Sequence, residues 1–165
     1  MWPSEQIYLT SRLNRFDPVD VAIREKITAL ILEADVICFP MGSFFSSILV
    51  NVLPRGVGRA VSQNPCPKIF IPNMGNDPEL LGYSIMEQIH ILIRYLLKDC
   101  TDPSPAHHVL THILIDPSHR DYPTAPETET LARKGIQILG MDLVHPDDGS
   151  IIDEKKLIPI LLSLA

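Results

Sequence analysis

The predicted fold is decided by one stretch of sequence, Asp35-Val36-Ile37-Cys38-Phe39-Pro40-Met41-Gly42-Ser43-Phe44-Phe45-Ser46-Ser47. In this stretch a short apolar segment is followed by a glycine and then by the serine-rich start of a predicted helix. An apolar run bounded by turn residues is typical of a buried parallel strand. A second such run, Lys68-Ile69-Phe70-Ile71, enters Pro72-Asn73-Met74-Gly75. In a parallel sheet the loops after two strands share one edge, so we expect Gly42 and Asn73 to lie at the same edge.

The rest of the chain extends this pattern into alternating strands and helices. Two further strands are predicted at about 109–115 and 135–139, and helices at about 18–33, 84–98, 126–134 and 153–164. Strands that alternate with helices predict an α/β fold, in which a parallel sheet is flanked by helices through right-handed crossovers. At 165 residues and 45% hydrophobic content, we expect a single α/β domain over residues 1–165.

The predicted helix from Ser84 to Lys98 is apolar nearly all round, so most of its sides must be covered. One interpretation is that a homo-oligomeric partner, or a separate N-terminal half, covers it. The other is a central helix enclosed by the sheet and a neighbouring helix. The residues favour neither.

Composition excludes some classes of function. A formal charge of −6 argues against sequence-independent binding of nucleic acid, which needs a basic surface. The segment 36–54 is uncharged, but proline, glycine and serine interrupt it, so no membrane span is predicted. The three cysteines form no CxxC pair, and the N-terminus does not resemble a signal peptide. Both features favour a cytoplasmic location for the protein.

Gly42, Ser43, Ser46 and Ser47 form the first candidate site, at the predicted junction of strand and helix. Glycine allows a ligand to approach the backbone, while a helix start supplies unpaired N–H groups and partial positive charge. Serine hydroxyls add donors, so the site could hold a phosphate. The alternative is an ordinary helix start with Ser43 as the cap.

Asn73 marks the second candidate, in the loop after the next strand, where open parallel sheets bind ligands. Four histidines, His107, His108, His112 and His119, have no carboxylates in a metal-binding pattern, so no metal site is predicted. The residues identify no catalytic group.

These two loops resemble the family that joins the CofD 2-phospho-L-lactate transferases to the YvcK gluconeogenesis-factor proteins. In the YvcK branch a strand enters Gly-Pro-Gly-Ser-Leu-Tyr-Thr-Ser, and this segment is similar to residues 40–47 here. The family's second segment, Asn-Leu-Met-Thr-Gln-Pro-Gly-Glu-Thr followed by Gly-Tyr-Ser, is similar to residues 73–84, although its Gln-Pro-Gly-Glu-Thr core is shortened and replaced. The positions in register are Gly42, Ser43, Ser47, Asn51, Gly56, Asn73, Pro78, Gly82, Tyr83 and Ser84.

The resemblance implies a Rossmann-like fold, of which this chain corresponds to the C-terminal half. It implies a protein that binds a phosphate or nucleotide ligand, in a regulatory role, at Gly42, Ser43, Ser46, Ser47 and Asn73. The family's alternative activity is a phosphotransferase of the 2-phospho-L-lactate transferase kind, completed by a separate N-terminal half or subunit, with Mg²⁺ and a nucleoside-diphosphate-linked ligand. A third reading is a degenerate interaction module that has kept the sheet and lost the ligand.

Overall fold

A computed structural model of the chain describes residues 7–13, 17–75, 77–100, 105–118 and 122–165. Its principal feature is a sheet of four parallel strands in the order β1-β2-β3-β4. The strands are β1 (Ile37–Phe39), β2 (Lys68–Phe70), β3 (His112–Ile115) and β4 (Gln137–Gly140). The parallel sheet predicted from the apolar runs is therefore confirmed.

Helices connect the strands. They are α1 (Glu25–Leu32), α2 (Val50–Val52), α3 (Val57–Gln63), α4 (Ile85–Leu97), α5 (Ala125–Arg133) and α6 (Glu154–Leu164). A π-helical segment, Phe44–Leu49, leads directly into α2, and short 3-10 turns occupy Pro78–Leu80 and Ala106–His108. A small antiparallel pair, β5 (Val144–His145) and β6 (Asp148–Ile152), precedes α6.

Alternate strand residues point to opposite faces of the sheet and fill two cores. On the first face, Phe70, Ile113 and Ile115 pack with residues of α3, α4 and α5. On the second face, Ile69, Ile71 and Leu114 pack with residues of α6. All three connections between successive strands thus contribute to one face, as expected when right-handed crossovers add strands in one direction.

Helix α4 matches the predicted helix of 84–98, and Ser84 and Glu87 form a capping box at its start. Its apolar surface does not need a partner, however. The residues Ile85, Met86, Gln88, Ile89, Leu92, Ile93, Tyr95 and Leu96 are all buried within one chain. Helix α3 packs closely on α4 at Gly58. A Cβ atom at this position would lie 1.8 Å from the Leu96 carbonyl oxygen, so the close contact requires a glycine. The helix therefore gives no support to the predicted homo-oligomer, which stays a prediction.

The first predicted helix begins later than expected. We expected Asp17-Pro18 to start a helix, but α1 begins at Glu25. The segment before it instead pairs with a distant turn: Ile23 donates its N–H to the Arg55 carbonyl at 3.0 Å, and Arg55 donates to Val21 at 2.8 Å. That long-range pairing holds residues 21–23 in an extended conformation.

Within the described part of the chain, no helix is long and apolar enough to cross a membrane. The uncharged segment 36–54 divides into β1, a turn, the π-helical segment and α2.

Candidate functional site

The loops after β1 and β2 meet at the carboxyl end of the sheet. The Gly42 N–H donates to Asn73 Oδ1 at 2.8 Å, and Asn73 Nδ2 donates to the Gly42 carbonyl at 2.8 Å. This reciprocal pair fixes the path of the backbone where it leaves β1. The prediction that Gly42 and Asn73 lie at one edge is confirmed. Since both ends of the Asn73 amide bind Gly42, the side chain positions the turn.

Two carboxylates from the second loop lie at the start of the π-helical segment. Asp77 Oδ2 accepts from the Phe44 N–H at 2.9 Å. Glu79 Oε2 accepts from the N–H groups of Phe45 and Ser46 at 2.8 and 3.0 Å. Sequence reasoning predicted free N–H groups at this helix start. In the structure the chain's own acidic side chains bind them.

The charge of these carboxylates is stabilised where they lie. Hydrogen bonds from the hydroxyl and the N–H of Ser46, together with the Phe45 N–H, hold the pKa of Glu79 below its ordinary value. Asp77 also accepts the N–H of Glu79 at Oδ1, 3.0 Å away, so the first carboxylate orients the segment that bears the second. The turn after β1 is thus an arrangement of backbone donors that binds anionic oxygens.

Ser43 and Ser47 are placed differently from Ser46. Their hydroxyls make no hydrogen bond within the described ranges of the chain, whereas Ser46 donates its N–H to Glu79 and its hydroxyl helps to lower the pKa of that carboxyl. Ser43 is half-buried and Ser47 is exposed. Two hydroxyl donors therefore remain beside the capped N–H groups.

Aromatic rings pack against the turn after β1. Phe45 packs edge-to-face against Phe44 and Tyr83, with ring centroids 5.2 and 5.5 Å apart. Phe44 is buried in the core against Phe70. The contact with Tyr83 links the turn to the residues that precede α4, so both loops of the site are held by apolar as well as polar contacts.

Asp116 organises the loops after β3 and β4 at the same edge of the sheet. Its carboxylate is buried and accepts four hydrogen bonds, from the N–H and hydroxyl of Ser118 and the N–H groups of Leu143 and Val144. Burial alone would raise the pKa of Asp116, but these donors outweigh it and hold the pKa at about 2. Asp116 therefore ties neighbouring loops together as a charged group.

The turn after β1 offers few ligands for Mg²⁺. Mg²⁺ binds oxygen ligands, usually one or two carboxylates with phosphate oxygens and water. Asp77 and Glu79 are the acidic side chains at the turn, and both accept backbone N–H groups. No group of three or more potential metal ligands lies among the residues that the structure describes. The turn by itself therefore does not fit a protein-held Mg²⁺.

Sequence reasoning missed Asp77, Glu79 and Asp116. The signal for Asp77 was present, because an aspartate before a proline often starts a helical turn, and here Asp77 caps Pro78–Leu80. Nothing local indicated that the same carboxylate would also reach Phe44, 33 residues away.

A family model described as 2-phospho-L-lactate transferase CofD matches residues 8–144. The gluconeogenesis factor of Bacillus subtilis is 30% identical over 93 residues, or 56% of this chain and 27% of that protein. A relative of that name from Thermoanaerobacterium thermosulfurigenes is 26% identical over 166 residues, covering 98% of this chain and 49% of the relative. The chain thus spans at most about half the length of these relatives.

Structural comparison agrees with the family match. A UPF0052-family protein of Bacillus halodurans has a TM-score of 0.62 at 18% identity, over 86% of this chain and 47% of that protein. At this identity the similarity shows the fold alone. Since the CofD model covers most of the sequence, and the relatives are gluconeogenesis factors, the chain belongs to the CofD family and is a CofD-like and YvcK-like protein.

Proposed function

We propose that this chain binds the phosphate of a nucleotide-linked or phosphorylated small molecule at the turn after β1, in a regulatory role. The observation that carries the proposal is the set of N–H groups at Phe44, Phe45 and Ser46, each within 3.0 Å of a carboxylate oxygen. Backbone donors that bind carboxylates have the geometry and partial charge to bind phosphate oxygens. The proposed ligand-binding residues are Gly42, Ser43, Ser46, Ser47 and Asn73, of which Gly42 and Asn73 bind each other and would shape the turn around the ligand.

The free hydroxyls define where such a ligand would first bind. Ser43 and Ser47 offer donors that the chain does not itself use in its described part. A phosphate bound there would compete with Glu79 for the N–H groups of Phe45 and Ser46. The ligand's affinity would then depend on displacing a carboxylate whose negative form these same donors stabilise.

A regulatory role is supported by the relatives, which are named gluconeogenesis factors.

A second candidate is a phosphotransferase completed by a separate half, and the CofD family description favours it. Mg²⁺ would then enter with the ligand's own phosphates, because the described residues do not hold it alone. A degenerate interaction module is the third candidate, and it is favoured by the capture of the N–H groups by Asp77 and Glu79.

Titration of guanosine diphosphate and uridine diphosphate, with and without Mg²⁺, into isotope-labelled protein tests the proposal. Binding at the turn should shift the amide resonances of Ser43, Phe45 and Ser46 and leave those of β4 unchanged. Shifts confined to other parts of the chain would refute the site. If neither nucleotide shifts any resonance, with a complementary half of a relative present as well as absent, the degenerate-module reading replaces it.

A further inference from the structure

The described part of the chain buries four polar or charged side chains, and one of them is unbonded. The four are Asn64, Lys68, Gln88 and Asp116. Asn64 donates its amide N–H groups to two backbone carbonyls at 2.7 and 2.8 Å, Lys68 donates to the Asn64 carbonyl, and Asp116 accepts four hydrogen bonds. Gln88 is only 5% exposed, yet neither its Oε1 nor its amide N–H groups have a hydrogen-bond partner among the described residues.

An unbonded amide destabilises the free chain, because it has lost its hydrogen bonds to water and gained none in return. Buried polar side chains in native proteins almost always have partners, so each exception has a specific cause. Packing does not explain Gln88, since methionine would fill a similar volume without a polar group to satisfy. The glutamine therefore indicates a partner from outside the chain.

Gln88 lies one turn into α4, at the end of the helix nearest the proposed phosphate site. The helix is capped by Ser84 and directly follows Tyr83, whose ring contacts that of Phe45 with centroids 5.5 Å apart. Side chains on an α-helix lean toward its N-terminus, so the amide of Gln88 extends toward Ser84. It therefore extends toward the edge of the sheet at which the turn after β1 lies.

The same side of α4 faces the connection between β1 and β2. Tyr95 follows Gln88 by seven positions, which places both on one side of the helix. The Tyr95 hydroxyl accepts the Ile7 N–H at 2.8 Å, and Asp99, just beyond the helix, accepts the Gly56 N–H at 2.6 Å. Gly56 precedes α3 in that connection, and the π-helical segment, which belongs to it as well, contacts α4. Gln88 is thus on the side of α4 toward the π-helical segment.

We infer that Gln88 binds the base edge of a nucleotide whose phosphate lies at the turn after β1, an inference that rests on the proposed function. A carboxamide presents a donor and an acceptor side by side in one plane, and so does the edge of a nucleobase. The amide is uncharged, so it suits the base and not the phosphate. The rings of Phe45 and Tyr83 connect the turn to the start of α4, and bases stack on aromatic rings.

The loop that leads into α4 gives the base access to the amide. A phosphate at the turn displaces Glu79, which lies five residues before Ser84. Between these two residues, Leu81 is 90% exposed, and a Cβ atom at Gly82 would have no neighbour within 4 Å. Few contacts hold this part of the loop, so it moves with Glu79 and uncovers the start of α4.

Gln88→Met tests the inference, because it removes the hydrogen-bonding groups at nearly constant volume. The melting temperature of the free variant should equal or exceed that of the wild type, since an unbonded amide is lost. Uridine and guanosine diphosphates with Mg²⁺ should bind about tenfold more weakly in calorimetry. Inorganic pyrophosphate, which has no base, should bind equally to both proteins. Gln137→Met, at an exposed position of β4, is the matched control and should change none of these values.

A measurement on the wild type does not depend on how the variant folds. In isotope-labelled protein, the side-chain amide resonances of Gln88 should shift when a nucleoside diphosphate binds and should stay in place when pyrophosphate binds. Both experiments are made on the chain alone and with the co-expressed half of the T. thermosulfurigenes relative that this chain does not match.

Three results would overturn the inference and leave the phosphate site intact. The first is nucleotide binding by folded Gln88→Met as tight as that of the wild type. The second is a Gln88 amide whose resonances a bound nucleotide does not shift. The third is a lower melting temperature of Gln88→Met, because the amide would then have a partner, such as a buried water, in the free protein. If neither pyrophosphate nor nucleotides bind, the phosphate site itself is wrong and this inference fails with it.

Discussion

The backbone of Gly42 and the side-chain amide of Asn73 exchange two hydrogen bonds of 2.8 Å across 31 positions of sequence. Each residue follows a different parallel strand, so the pair connects neighbouring loops at the carboxyl edge of the sheet. The loop of Asn73 also carries the carboxylates that bind the N–H groups after Gly42. The conformation of the turn after β1 is therefore set by the loop after β2.

Replacing Asn73 by alanine should destabilise the fold. The substitution removes both hydrogen bonds, together with a longer one of 3.4 Å from Asn73 Nδ2 to Asp77 Oδ2, and leaves the half-buried N–H and C=O of Gly42 without their Asn73 partners. We expect a loss of about 1–3 kcal/mol in the free energy of unfolding, measured by urea denaturation. Asn51→Ala is the matched control, because exposed Asn51 makes one hydrogen bond to the Ser47 carbonyl, and it should cost about 0.5 kcal/mol or less. Equal losses would show that the Asn73 pair is not structural.

Asp116 should make stability depend on pH in the acidic range. Its folded-state pKa of about 2 lies below the unfolded value, so the stabilisation is complete above about pH 4 and is lost as pH falls toward 2. Asp116→Asn should lower the free energy of unfolding by about 2 kcal/mol at pH 7. This difference between the variant and the wild type should become smaller in acid. Urea denaturation at a series of pH values measures both. A difference that stays constant from pH 7 to 2 would contradict the assigned charge state.

Gly58 should tolerate no side chain. A Cβ atom there would lie 1.8 Å from the Leu96 carbonyl oxygen, in the backbone of α4, which cannot move away as a side chain could. Gly58→Ala should lower the free energy of unfolding by about 3 kcal/mol or more. Gly149→Ala is the comparison, since its Cβ would have no neighbour closer than Val144 Cγ1 at 4.0 Å. Similar unfolding midpoints for the two variants would disprove this account of the α3–α4 contact.

Removing the Glu79 carboxylate should favour a phosphate ligand. Glu79→Ala frees the N–H groups of Phe45 and Ser46, so a ligand at the turn no longer competes with an internal anion. We expect nucleoside diphosphates to bind about two- to tenfold more tightly, as measured by calorimetry. Glu87→Ala is the control, because Glu87 is an exposed glutamate that caps the start of α4. Weaker binding by Glu79→Ala would mean that the carboxylate assists the ligand instead of competing with it.

The sequence predicted the strands of the sheet well, because their apolar runs are short, contain few polar residues and end in turn residues. It also predicted that Gly42 and Asn73 share an edge, since that follows from parallel topology. It failed where distant residues decide local structure. The late start of α1 depends on Arg55, and the capped turn depends on Asp77 and Glu79. The burial of α4 likewise depends on Gly58 in α3, and the helical periodicity of α4 does not reveal this contact.

Calorimetric titration of guanosine and uridine diphosphates with Mg²⁺ into wild type, Gly42→Val and Ser47→Ala tests the phosphate site most directly. Valine at Gly42 should abolish binding, because its side chain occupies the path of the ligand to the backbone, whereas Ser47→Ala should remove one hydrogen bond and cost about 0.5–1.5 kcal/mol. Ser163→Ala on α6 should bind as wild type, since its hydroxyl bonds only to the Ile160 carbonyl within the described residues. Titrations are run with and without the co-expressed half of the T. thermosulfurigenes relative, and melting temperatures confirm that each variant is folded. Binding by folded Gly42→Val as tight as that of wild type would contradict the assignment of the site.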